Sequence, residues 1–304
     1  MSSKKPNNRT SLVFFGTGQT SLEALQCLEE SFEIELIVTK PPAKNSAGKE
    51  FKNQVQEYAE KNDIKVATPA DKSELVISLA KQSIRSTLGV VLDYGMIIPK
   101  EVIDMFSSGI LNSHFSLLPK YRGADPIRSA ILNGDEISGV TIIRITPGLD
   151  DGPILTWAEH VVGNSNAIEL REKLSALNCA LLPETIKIYL SNELEPVEQD
   201  ESQSSHTSKL TKEDGHLDPN KDPKQLEREI RAYVGWPKSY FEWENNTYII
   251  HKAKVSTTKI NAGELHVSDK KLYFGCKVGS LEILEIQPAN KPKMSAEAFI
   301  NGYL

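Results

Sequence analysis

Along the first two thirds of the chain, short apolar runs alternate with stretches of helical period. Residues 11–15 form an apolar run that ends in Gly16-Thr17-Gly18, after which Leu22, Leu25 and Leu28 recur at helical spacing. A second run at 34–39 gives way to a polar loop with Pro41, Pro42 and Gly48, then to a helical pattern over 51–61. Val66 opens a short extended piece before Pro69, and a helix is predicted over 73–82. Leu88-Gly89-Val90-Val91-Leu92 lacks polar alternation and reads as a central strand buried on both faces. A helix from near Pro99, a strand over 110–113 and a helix over 126–133 follow. Strands over 140–145 and 154–162 and a long helix over 168–189 complete the series. Strands and helices in alternation predict a parallel sheet with crossover helices. Residues 11–190 are therefore expected to form an α/β domain with a Rossmann-like, doubly wound, mostly parallel sheet.

The pattern then breaks. Over 191–208, Glu193, Glu195, Glu198, Asp200 and Glu201 alternate with Ser, Gln and Pro, too few apolar residues to pack, so the stretch is expected to be an acidic linker. Beyond it a helix is predicted over 223–233, with Leu226, Ile230 and Tyr233 on one face. Short strands at 240–243, 248–255, 263–267, 271–276 and 280–286, separated by polar turns, predict a small OB-like β-barrel over 209–304. The opening ten residues are polar and are expected to be disordered.

Composition narrows the class. At 304 residues, with 39% hydrophobic and 25% charged positions, the chain suits two ordinary globular domains. No apolar run approaches the roughly 20 residues that span a bilayer, and the polar start has no secretory signature. A cytoplasmic protein without membrane contact is expected. Cys27, Cys179 and Cys276 are far apart and are read as buried thiols of a reducing compartment. His160, His206, His216, His251 and His266 pair with no Cys or carboxylate at ligand spacing, so no metal is expected. The net charge of −6 argues against indiscriminate nucleic-acid binding, yet from His206 onward 15 Lys and Arg face 13 Asp and Glu. The tail thus carries +2 and the rest −8, which fits a C-terminal half that meets a polyanion.

The densest chemical signal is Asn112-Ser113-His114-Phe115-Ser116-Leu117-Leu118-Pro119-Lys120-Tyr121-Arg122-Gly123. Asn112 and His114 are two apart, so on an extended segment they leave the same face. A carboxamide beside an imidazole suits acyl transfer: the amide N–H holds a developing oxyanion and the imidazole moves protons near neutral pH. Such a pair also occurs as a purely structural hydrogen bond. A second constellation, Pro147-Gly148-Leu149-Asp150-Asp151-Gly152-Pro153, supplies a carboxylate that orients the imidazole. With no Gly-x-Ser-x-Gly and no Cys placed as nucleophile, direct transfer without a covalent enzyme intermediate is expected. Gly16-Thr17-Gly18 lacks the third glycine of a dinucleotide fingerprint, Ser21 standing there, so a tight strand–helix turn is expected and NAD is not.

Asn-x-His, Ser-Leu-Leu-Pro-x-Tyr-Arg-Gly and Leu-Asp-x-Gly, with 38 residues between Asn112 and Asp150, resemble the 10-formyltetrahydrofolate-dependent formyltransferase superfamily. The resemblance implies that Asn112 holds the formyl oxygen and its tetrahedral oxyanion, that His114 shuttles the proton, and that Asp150 orients or charges it. It also implies folate contacts at Ser116, Leu117, Leu118 and Pro119, and along 92–98 at Leu92, Tyr94, Gly95 and Ile98. Three tail segments, starting at Ser208, Ile230 and Gln287, resemble the branch of that superfamily that formylates methionyl-tRNA. This implies methionyl initiator tRNA as acceptor, in translation initiation, with 10-formyltetrahydrofolate as co-substrate and the chain working as a monomer. Lys44, Lys49, Arg231, Lys252, Lys254, Lys291 and Lys293 are the candidate phosphate contacts. In the loop 41–49 the branch usually carries Pro-Ala-Gly-Arg-Gly-Lys; here its Arg falls at Ala47, leaving Lys44 or Lys49 to supply charge. The alternative acceptor is an amino-sugar nucleotide or other small amine. A non-catalytic folate or RNA-binding module is the reading from another class.

Overall fold

A computed structural model describes residues 9–44 and 48–304. The expected disordered opening lies outside the described residues as far as Asn8. Arg9 donates to the Glu29 carbonyl, and the Thr10 carbonyl accepts the Glu33 N–H. The chain forms two compact units. The first holds the residues up to Ala124 together with Gly139–His160 and Glu172–His206; the second holds Asp125–Ser138, Val161–Arg171 and Thr207–Leu304. Two short excursions of the first half thus side with the tail.

The first unit is built on one seven-stranded sheet. Its order is Ile154–Val161, Ile137–Arg144, Ile110–His114, Leu88–Leu92, Ser11–Gly16, Glu33–Val38 and Val66–Ala67. The last five are mutually parallel, and Ile137–Arg144 runs antiparallel to Ile110–His114. All five residues of Leu88–Leu92 are buried, as an unbroken apolar run requires in a sheet covered on both faces. Val13 and Phe15 join Leu75, Leu79, Val102 and Phe106 in one cluster. Their alternating neighbours Leu12 and Phe14, on the opposite face, are also fully buried.

Two corrections to the sequence reading fall in this unit. Cys27 and Cys179 are not isolated thiols but a disulfide joining helices Gln19–Glu29 and Ala167–Leu190. A separation of 152 residues conceals a pair whose Cα atoms lie 5.5 Å apart. Cys276 is the buried thiol expected, its pKa pushed up to about 11 chiefly by burial. Second, the polar stretch after Asn192 does not hang free. Val197 exchanges both backbone hydrogen bonds with Ile154, and Ser205 binds the Pro119 carbonyl and the Arg122 N–H. Hydrogen bonds, rather than apolar burial, hold it.

In the second unit the five expected strands form one antiparallel sheet. Its order is Ser239–Trp243, Asn246–Ser256, Ser280–Pro288, Lys271–Gly275 and Leu265–Ser268, with Met294–Ser295 added beside Ser280–Pro288. Phe241, Tyr248, Phe274, Ile283 and Ile286 make its core with Leu226 and Ile230 of helix Pro223–Ala232. A closing helix, Ala296–Tyr303, sinks Phe299 into the same core and takes Ser295 as its N-cap. Helix Pro126–Asn133 packs on Pro223–Ala232 and ends at Gly134, whose φ of 70° is the left-handed stop that glycine adopts freely.

One charged group ties the first unit together. The Glu35 carboxylate accepts from the Ser86 hydroxyl at 2.6 Å and from the Ser86 and Arg85 N–H groups. Burial alone opposes its charge; the Ser86 hydroxyl and the two N–H donors outweigh that and hold its pKa below the usual carboxylate range. A depressed pKa stabilises the fold above the unfolded value, and the gain is lost as pH falls through the folded one. Glu35→Gln is expected to cost about 2 kcal/mol at neutral pH. Denaturant melts should show the gap from the unaltered protein closing as pH falls below about 4.

Candidate active site

Strand Ile110–His114 runs one residue further than expected, so Asn112 and His114 are its third and last residues and project from one face. Ser113, pointing the other way, is buried and donates to the Asn178 side-chain oxygen at 2.5 Å. That bond fixes the strand from behind.

Asp150 meets both side chains in front. Its Oδ1 accepts from Asn112 Nδ2 at 3.0 Å, and its Oδ2 accepts from the Gly123 N–H at 2.9 Å and lies 3.6 Å from His114 Nδ1. The His114 and Asp150 side chains are only 7% and 15% exposed, so water screens them little. These contacts settle two orientations that coordinates alone leave to choice. A carboxylate accepts, so the Asn112 edge facing it is the NH2 group. A carbonyl also only accepts, so His114 Nε2, 2.8 Å from the Tyr121 carbonyl oxygen, carries a hydrogen. Nδ1 is then the nitrogen left open to a proton, and Asn112 keeps a second N–H for another acceptor.

The surrounding backbone is unusual in the same place. Tyr121, Gly123 and Asp150 have φ values of 61°, 102° and 51°, and a non-glycine residue pays for that conformation. It persists because the loops are fixed from several sides. The Ser116 hydroxyl donates to the Lys120 carbonyl at 2.6 Å, and the Thr141 hydroxyl donates to the Ser116 carbonyl and accepts the Leu118 N–H. In the Asp150 loop, Thr146 donates to Asp151, and a Cβ on Gly152 would collide with the Arg144 carbonyl oxygen.

The expected folate contacts divide by burial. Leu92, Tyr94, Ile98, Ser116 and Leu118 are buried, whereas Gly95 is exposed and Leu117 and Pro119 are half-buried. Tyr94 packs edge-on against Phe15, its hydroxyl has no hydrogen-bond partner among the described residues, and burial pushes its pKa up to about 12. The second Asn112 N–H, beside the imidazole, can donate to a carbonyl oxygen, an arrangement that suits acyl transfer.

The expected phosphate contacts are scattered more widely. In the first unit Lys44 pairs with Glu50 at 3.3 Å and Lys49 lies over the Phe51 ring. Ala47, where the usual Arg falls, lies outside the described residues. In the second unit Lys254 pairs with Glu282 and Lys293 with Glu285, while Lys252 and Lys291 are exposed and outside those pairs. Arg231 is committed inward, to Glu227 at 2.8 Å and the Ser165 carbonyl at 2.9 Å. Sequence reasoning missed Gln199, buried beneath the Asp150 loop, because a glutamine in a polar acidic stretch carries no pattern to mark it.

Comparison with known proteins agrees with this geometry. The formyl transferase family matches residues 10–186, and the formyl transferase C-terminal domain family matches 209–304. The methionyl-tRNA formyltransferase of Clostridium novyi is 32% identical over 96% of both chains, and that of Methylococcus capsulatus 33% identical over 96% of both. The crystal structure of an N-formyltransferase from Helicobacter canadensis, in complex with folinic acid and dTDP-3-aminofucose, shares the fold with a TM-score of 0.68 at 20% identity. It covers 92% of this chain and 99% of its own.

Gly152→Ala tests the loop placement. The new methyl group must push the Asp150 loop off the Arg144 carbonyl, and steady-state assays should show turnover at this site falling roughly a hundredfold. Unchanged turnover would show that the position of the loop does not matter.

Proposed function

We propose that this chain, which belongs to the formyl transferase family, carries the formyl group of 10-formyltetrahydrofolate to the free amino group of methionyl initiator tRNA. The observation that supports the chemistry is the single carboxylate, Asp150, set against both the Asn112 amide and the His114 imidazole. The observation that supports the acceptor is likeness to methionyl-tRNA formyltransferases along the whole chain, tail included.

The bound folate supplies the activated formyl carbon. Asn112 offers its second N–H to the formyl oxygen, where negative charge grows as the amine adds. A donor already held by Asp150 needs no reorganisation at that moment. His114 Nδ1 takes the proton that the attacking nitrogen must lose and passes it on toward the departing nitrogen. Asp150, 3.6 Å from that nitrogen, holds the imidazole in place during the transfer. No nucleophilic side chain takes part, so the formyl group passes directly between the two nitrogens. Lys252 and Lys291 are the exposed cations best disposed for tRNA phosphate, with Lys44 and Lys49 bordering the loop in which Ala47 stands. On this reading the enzyme works as a monomer in the cytoplasm.

Incubation with 10-formyltetrahydrofolate and either methionyl-tRNA or a dTDP-linked amino sugar separates the acceptors. Formyl-methionyl-tRNA is expected, with tRNA affinity falling at least about tenfold between roughly 50 and 200 mM salt. Formylation of the amino sugar alone would overturn the acceptor. Asn112→Ala and His114→Ala should each keep folate binding and lose about a thousandfold in turnover.

A further inference from the structure

We propose that Gln199 is a positioning residue for formyl transfer, holding the Asp150 loop over Asn112 and His114 with Arg122 as its anchor. Gln199 lies outside both regions that match the formyl transferase families. Its side chain is nonetheless buried, and every hydrogen-bonding valence of its carboxamide is used. Nε2 donates to the Asp150 carbonyl at 2.8 Å and to the Gly152 carbonyl at 2.7 Å. Oε1 accepts from Arg122 Nε at 3.1 Å and Nη2 at 2.8 Å. The first carbonyl belongs to the left-handed Asp150 itself and the second lies two residues on, so the amide holds the loop at and just after that residue.

Arg122 carries the grip to the other side of the site. It is 3% exposed, its guanidinium forks onto Glu201 at 3.1 and 2.7 Å, and that donation is the main cause of the lowered Glu201 pKa. Its chain neighbours are the two backbone groups nearest the catalytic side chains: the Tyr121 carbonyl against His114 Nε2 and the Gly123 N–H on Asp150 Oδ2. The Tyr121 N–H donates to the Ser205 hydroxyl, and the Arg122 N–H to the Ser205 carbonyl. Residues 199–205 therefore hold both loops that set the Asp150 carboxylate. Because Asp150 touches the reacting groups and Gln199 does not, Gln199 acts on rate through Asp150.

Gln199→Glu is the direct test, because a carboxylate still pairs with Arg122 but has no N–H for the two carbonyls. It should lower kcat for formyl transfer about a hundredfold, with KM for 10-formyltetrahydrofolate and methionyl-tRNA within about threefold of the unaltered protein. On an Asp150→Asn background the same change should cost less than about threefold more, since both act at one point. Arg122→Lys, which keeps the charge and loses the fork, should slow kcat about tenfold and serves if Gln199→Glu does not fold. Glu198→Gln, an exposed neighbour, should leave kcat unchanged. Full multiplicative losses in the double variant, or an unaltered kcat in the folded Gln199 variant, would overturn the proposal. The inference rests on the proposed formyl transfer. Failure of the unaltered protein to formylate any acceptor would count against that reading, whereas an active protein insensitive to Gln199→Glu would count only against this one.

Discussion

The site depends on one partly buried carboxylate with three neighbours. Asp150 takes a hydrogen bond from Asn112, another from the Gly123 backbone, and faces Nδ1 of His114. Removing it would free the Asn112 amide to rotate and leave the Gly123 N–H without a partner, at a cost of about 1–3 kcal/mol for each buried polar group left unpaired. The same carboxylate sits on a left-handed turn residue, and a turn alone does not fix where that carboxylate points. The neighbouring structure therefore has to over-determine its position, and much of the local architecture can be understood as doing so.

The sheet supplies the rigid half of that constraint. Asn112 and His114 stand on a strand that is paired on both sides and pinned from behind by Ser113 and Asn178. Their spacing follows from the pleat. The loops supply the other half: Ser116, Thr141 and Lys120 brace the chain below the imidazole, and Gly152 lets the Asp150 loop lie against Arg144. The stretch 199–205 closes the arrangement from outside both matched domains.

What was legible in the sequence was whatever repeats locally. The apolar run at Leu88–Leu92, the helix Pro126–Asn133 and the five tail strands follow from period and punctuation, and the structure has each of them. The shared face of Asn112 and His114 was legible because they lie two apart on one strand, and the candidate Asp150 because its interval from Asn112 matches a known pattern. Long-range pairings were not. Nothing in the spacing joins Cys27 to Cys179, since the contact arises only when two helices distant in the chain meet. The stretch around Gln199 reads as an acidic linker because it offers no apolar face, yet a segment can be fixed by backbone and amide hydrogen bonds alone. The last helix, Ala296–Tyr303, is only two turns long, too short for periodicity to declare it, and its burial of Phe299 is what secures it. Charge alone marks Arg231, and only the fold reveals that Glu227 and Ser165 already take two of its donors.

The claim on which the account turns is that Asp150 organises a formyl-transfer site. The most direct measurement is single-turnover transfer of labelled formyl from 10-formyltetrahydrofolate to methionyl-tRNA, with enzyme in excess, by the unaltered protein and by Asp150→Ala. The account predicts transfer at least about a thousandfold slower in the variant, with folate affinity changed by less than about fivefold. Transfer at equal rates in the two proteins would contradict it.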